Sequence, residues 1–249
     1  MERFNIGRVK VSAVSLKQVI DFLKNYSYNT SGYICLPDTY VIARAEKDEN
    51  LCRILNNSLL TLPDGKPLQI FAKLDGHKHV TTVSGYKLIL ALLDSNLKHV
   101  FWGASPGALE LISSKLKAEF PEAKISGFFS PPVVTESEIT NNTLLRAQAE
   151  AIKALKPDLI WVGISSPKQD ILMDSFSESF EGSLMLGVGG VFDYLAGTRK
   201  MSPEWVKKIG MRWLWRLAQE PGRLGGKYLL TAKAVLYLTL KKLFKIPFK

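Results

Sequence analysis

A doubly wound α/β fold is predicted for this chain, with a largely parallel Rossmann-like sheet, helices on both faces and a basic helical C-terminal appendage. Three observations predict it. Short β-branched and apolar runs alternate with helical patterns along the first 197 residues. Most of these runs end in turns containing Gly or Pro, where a strand hands over to a helix. The positive charge is concentrated beyond residue 197, in a segment whose composition differs from the rest.

In chain order, Arg8–Val14 reads as a strand or strand pair, followed by an amphipathic helix near Ser15–Asn25. Gly32–Leu36 is a strand and Thr39–Leu51 a helix. Leu59–Leu62 is a short strand running into Pro63-Asp64-Gly65, and Lys66–Leu74 is helical. His99–Gly103 is a buried strand, backed by a helix over Pro106–Glu119, and Lys124–Phe129 is the next strand. Asn141–Leu155 is a helix, Leu159–Gly163 a strand, Gln169–Phe180 a helix and Leu184–Val188 the last strand of the body. The expected division is a catalytic α/β domain over residues 1–197 and an appendage over 198–249.

The chain has 249 residues, 46% of them hydrophobic, enough for a full core. Its two cysteines, Cys35 and Cys52, cannot form a disulfide framework and sit in apolar surroundings, as buried thiols of a reducing compartment do. Met1 to Lys10 has no apolar stretch of the secretory kind, and no apolar run approaches the ~20 residues that a spanning helix needs. A cytosolic protein is expected. Net charge is +10, yet from Thr198 onward thirteen Lys or Arg face only Glu204 and Glu220, leaving the body near −1. Such asymmetry suits an anionic partner, lipid or nucleic acid. The chain carries no nucleic-acid recognition motif. Tyr228–Phe248 is mostly Leu, Val, Tyr, Phe and Lys with no acid, which favours a helix lying in an anionic membrane interface, each Lys contributing about 1 kcal/mol.

Ligands of doubly wound sheets bind beyond the carboxyl ends of the strands. Four turns fall there: Pro63-Asp64-Gly65, Gly103-Ala104-Ser105, Gly163-Ile164-Ser165-Ser166 and Gly187-Val188-Gly189-Gly190. Asp64 is either a turn residue serving the backbone or a carboxylate free to take a proton from an attacking hydroxyl. In Ser166-Pro167-Lys168-Gln169-Asp170, Ser166 can cap a helix, Pro167 take its first position and Asp170 meet its dipole. The same N-terminus can hold a phosphate, with Lys168 and Gln169 adding donors. Gly187, Gly189 and Gly190 permit either tight strand-to-helix packing or close approach to a nucleotide. Arg216 and Arg223 lie seven apart, on one face if a helix continues through Pro221, and two guanidiniums suit a diphosphate. No Asp-x-Asp pair is present, Gly225-Gly226-Lys227 lacks Walker spacing, and His77, His79 and His99 lack zinc spacing. Neither a metal nor a cofactor is expected.

Four ordered blocks resemble the WecG/TagA/CpsF glycosyltransferases over about Phe4 to Tyr228: Leu62–Leu68, Ser166–Gln169, Gly187–Gly197 and Trp213–Arg223. The resemblance implies inverting, metal-independent transfer of an N-acetylmannosamine-type sugar, or another hexose, from a UDP-sugar to a polyprenyl-diphosphate-linked acceptor. The work would feed cell-surface polysaccharide synthesis at the inner face of a bacterial plasma membrane. It further implies Asp64 as general base. Gln169 with Gly187, Gly189 and Gly190 would line the donor site, and Arg216 and Arg223 would hold a diphosphate. Gly103 and Gly163, at two of the expected strand ends, are further candidates for substrate binding. Two departures stand out. Cys35 occupies the place of a family threonine, with Thr39 nearby, and Gly226 replaces a third arginine, with Lys227 beside it. Self-association is left open by the resemblance, and a non-catalytic nucleotide-sugar-binding or scaffold subunit is the alternative.

Overall fold

The computed structural model describes residues 1–208 and 211–243. The side chains at 207, 208, 212, 213, 223, 224, 227, 228 and 241–243 lie outside the described set. An antiparallel hairpin, β1 (Arg3–Ile6) and β2 (Val9–Ser12), opens the chain. There follow α1 (Leu16–Lys24), β3 (Gly32–Cys35), α2 (Thr39–Ala45), α3 (Glu49–Asn57), β4 (Leu60–Thr61), α4 (Lys66–Leu74) and α5 (Gly85–Leu93). Then come β5 (Lys98–Gly103), α6 (Pro106–Glu119), β6 (Lys124–Phe129), α7 (Thr143–Ala154), β7 (Leu159–Gly163), α8 (Lys168–Phe176), β8 (Leu184–Gly187) and α9 (Val191–Leu195). The C-terminal segment forms α10 (Glu204–Lys208), α11 (Arg212–Gln219) and α12 (Pro221–Leu243).

Six strands make one sheet in the order β4-β3-β8-β7-β5-β6, every pairing parallel, so all their carboxyl ends share one edge. Period-two alternation sends Tyr33, Cys35, Val100, Trp102, Ile160, Val162 and Met185 to one face. That face is covered by the hairpin, α2, α3, α7 and α8. Ile34, Phe101, Leu159, Trp161, Leu184 and Leu186 point the other way, into α1, α5, α6 and α9. Burial on both faces explains the apolar runs of the inner strands β3, β8, β7 and β5, while the edge strand β6 is only part-buried.

The α/β expectation holds, with three local differences. The helix read over Thr39–Leu51 is two helices: the Asp48 carboxylate accepts from the Leu51 amide at 3.0 Å and caps a new helix. The segment before β5 contains α5, whose Gly-Tyr-Lys-Leu-Ile-Leu-Ala-Leu-Leu run is too evenly apolar to show a helical stripe. Finally, α11 ends at Glu220 (φ −139°, ψ 61°) and Pro221 starts α12. Arg216 and Arg223 therefore sit on different helices, not two turns apart on one. Helix α12 packs against α2, and its Leu238 is buried in the core.

Candidate active site

Asp64 lies three residues beyond the end of β4, at the carboxyl edge, half-buried. Gly65 behind it has φ +98° and opens α4, a conformation that a side chain would strain. The turn is held from the far side: the Val83 amide donates to the Pro63 carbonyl at 2.9 Å. Two residues on, Gly85 packs against Val188, where a β-carbon would come within 3.1 Å of the valine side chain. The Val83–Gly85 corner thus ties the Asp64 turn to the glycine turn after β8, across β3 between them.

Gln169 is 1% exposed and joins two more strand ends. Its Oε1 accepts from the Gly189 amide at 2.8 Å and its Nε2 donates to Ser166 Oγ at 2.9 Å. Gly189 (φ +59°) lies against Gln169 and the Ser165 Cα, and a β-carbon on Gly187 would fall 2.9 Å from Gln169 Nε2. Gly103 and Gly163 serve the same closeness: a β-carbon on Gly103 would lie 2.6 Å from the Gly163 carbonyl oxygen, and one on Gly163 2.8 Å from the Phe192 ring. These glycines let the ends of β5, β7 and β8 and the N-terminus of α9 converge.

Ser166 is not the helix cap: the Ser166–Pro167 peptide is cis, Pro167 is the N-cap residue, and no side chain caps α8. Lys168 reaches away from the glycine turns and donates to the Val134 carbonyl at 2.7 Å. Thr39, 4% exposed, is the first residue of α2, behind Asp38, which accepts from the Val41 amide at 3.0 Å. Asp170 is fully buried beneath these turns, and neither carboxylate oxygen has a hydrogen-bond partner. Burial pushes its pKa up to about 6; the nearby Ser166 hydroxyl and Cys35 thiol pull the other way without reaching bonding geometry. Burial beside Asp170 also pushes the Cys35 thiol well up, so it is no nucleophile.

The chain belongs to the glycosyl transferase WecG/TagA/CpsF family. The family model matches residues 4–247, nearly the whole length. A Bacillus subtilis (strain 168) relative, an N-acetylglucosaminyldiphosphoundecaprenol N-acetyl-β-D-mannosaminyltransferase, is 25% identical over 229 residues, covering 90% of this chain and 86% of its own. A Bacillus spizizenii protein of the same name is 26% identical over 199 residues, covering 78% and 74%. A Staphylococcus aureus (strain MW2) protein, also of that name, is 23% identical over 239 residues, covering 90% and 89%.

Within this glycosyltransferase, Arg216 is half-buried in the last turn of α11, and the side chains of Arg223 and Lys227 lie outside the described residues. Three residues escape the sequence reading. Ala104 (φ +60°) and Ser165 (φ +68°) hold left-handed backbone at the ends of β5 and β7, strain of the sort that collects at functional edges. Neither residue type signals it. Arg199 packs against Gly190, Nη1 lying 3.1 Å from where a β-carbon would be. Among the described residues, no group of three or more His, Cys, Asp or Glu could hold a metal ion, and no helix is long and apolar enough to cross a membrane.

Proposed function

We propose that this enzyme transfers N-acetylmannosamine, or a closely related hexose, from a UDP-sugar to N-acetylglucosamine on a polyprenyl diphosphate, with inversion and without a metal. The relatives' shared name supports the acceptor and the sugar. The observation that carries the chemistry is the placement of Asp64, half-buried at the carboxyl edge of the sheet, where ligands of such sheets sit. Its carboxylate takes the proton of the acceptor hydroxyl as that oxygen attacks the anomeric carbon. The bond to UDP breaks on the opposite face, and the electron pair leaves on the diphosphate. Arg216, with Arg223 and Lys227, stabilises that charge in the role a metal has elsewhere. Gln169 keeps the glycine amides in place for the nucleotide.

The enzyme works on the inner face of the membrane, held there by α12. That helix turns an apolar stripe outward: Leu229, Leu230, Leu236, Tyr237 and Leu240 are 43–61% exposed, while Leu238 faces the body. An outward stripe with lysines and no acid suits anionic lipid.

The test offers UDP-N-acetylmannosamine and a short polyprenyl-diphosphate-linked N-acetylglucosamine, reading product by mass spectrometry and its anomeric configuration by NMR. Asp64→Asn is expected to lower kcat by about 10²–10⁴ while UDP affinity stays within about twofold. Full activity in that variant removes Asp64 as the base. EDTA is expected to leave the rate unchanged; a loss restored by Mg²⁺ overturns the arginine scheme.

A further inference from the structure

Arg199 follows the glycine-capped end of α9. The Arg199 amide and the Thr198 hydroxyl both donate to the Asp193 carbonyl, at 3.1 Å each, with Gly197 at φ +72°. This tight reversal folds the Arg199 side chain back over α9, where only 12% of it is exposed. There its Nη2 meets two carboxylates from different parts of the molecule: Asp193 Oδ2 of α9 at 3.0 Å and Glu220 Oε1, at the junction of α11 and α12, at 2.9 Å. The guanidinium carbon lies 5.5 Å from the centre of the Tyr194 ring, and Nη1 rests on Gly190. One planar cation thus touches the glycine turn after β8, the helix behind it and the end of the helix that bears Arg216. The Glu220 amide donates to the Arg216 carbonyl at 3.1 Å, so whatever fixes Glu220 fixes the last turn of α11.

We propose that Arg199 is a positioning residue that seats α11, and with it Arg216, against the glycine turn. Arg199 itself touches no reacting atom. It acts by cancelling two carboxylates that would otherwise repel: Nη2 meets both while Nη1 lies against Gly190, a reach from one rigid guanidinium that a shorter, strongly hydrated ammonium does not reproduce. The body and the appendage are therefore joined by a charge cluster at the site as well as by the packing of α12 on α2. The kinetic part of this proposal rests on the reading of Arg216 as a diphosphate ligand; the seating of α11 does not.

Two measurements on the full-length protein decide it. The first is amide hydrogen exchange of Arg199→Met, Arg199→Lys and Glu220→Gln. Exchange across residues 211–230 is expected to accelerate about tenfold or more in Arg199→Met, less in Arg199→Lys, with residues 1–190 unchanged. Unchanged exchange at 211–230, or an increase spread through the body, overturns the proposal. The second is kcat/KM for UDP-N-acetylmannosamine in Arg199→Met, Arg216→Met and the double variant. If Arg199 acts through Arg216, the double variant is no slower than Arg216→Met alone; losses that multiply overturn it. Absence of turnover in the unsubstituted protein with any UDP-sugar would count against the proposed function, and the exchange result would then judge the seating alone.

Discussion

Asp170 and His99 show what single buried groups do to this fold. Asp170 has a folded pKa of about 6, raised by burial, so its neutral form is the one the fold favours. The stability tied to that group is present below the unfolded value and lost as pH rises through about 6. His99 is the reverse case. Its Nδ1 accepts from the Trp161 indole and its Nε2 donates to the Leu92 carbonyl, both at 3.2 Å, which fixes a neutral ring. Burial lowers its pKa to about 4, so its contribution is present above the unfolded value and lost as pH falls from about 6.5 toward 4. Over roughly pH 4–6 the two slopes oppose each other. Asp170→Asn is expected to raise stability by roughly 2–3 kcal/mol at pH 7.5, and by almost nothing at pH 4. It should also uncover the His99 slope, so that denaturant midpoints of the variant climb steadily with pH between 4 and 6.5. A variant less stable than the parent at pH 7.5 would mean that the ionised carboxylate is compensated.

At the scale of elements, glycine marks where strand ends must touch. Gly103→Ala drives a methyl into a backbone carbonyl at 2.6 Å, and Gly163→Ala into the Phe192 ring at 2.8 Å. Each is expected to cost roughly 1–3 kcal/mol, the first more because backbone yields less than a ring. Gly107, in the first turn of α6 with nothing within 4 Å, is the control: Gly107→Ala is expected to stabilise by about 0.5–1 kcal/mol. Thermal melts of the three check the order, and equal losses at Gly103 and Gly107 would deny the contact a role. The strands and turns that carry Asp64, Gln169 and the glycines were legible because a doubly buried parallel strand is an apolar run stopped by Gly or Pro. The break at Asp48 was not, since a capping aspartate inside a helical pattern also reads as an exposed face residue. Nor was α5, whose apolar run Lys87 alone interrupts. The pairing of Arg216 with Arg223 on one face failed at Glu220, where Pro221 restarts the helix. Arg199 left no local signal at all, because its meaning lies in Asp193 and Glu220, which only the fold brings to it.

For the whole molecule the question is what the appendage does, and α12 separates two answers along its own circumference. Its inner side, with Leu238 2% exposed, closes the core over α2; its outer side carries the exposed leucines. Deleting residues 198–249 strips both sides at once and removes Arg216, so loss of turnover in that deletion says little about lipid. Substitutions on one side only are more telling. Leu229→Ser, Leu230→Ser and Leu236→Ser together are expected to weaken binding to phosphatidylglycerol-containing vesicles by more than about tenfold, since each leucine leaving water contributes up to about 1.5–3 kcal/mol. The melting temperature should stay within about 2 °C, because surface changes of this kind leave stability nearly untouched. Leu238→Ala is expected to do the opposite, costing about 2–5 kcal/mol of stability and leaving vesicle affinity of the folded protein unchanged. Vesicle binding is read by sedimentation, at two salt concentrations so that the lysine contribution shows as the salt-sensitive part. If the triple serine variant binds vesicles as well as the parent, the outward stripe covers something other than lipid. If Leu238→Ala alone abolishes vesicle binding, the helix must be seated before it can hold a membrane, and attachment and completion of the site are one event.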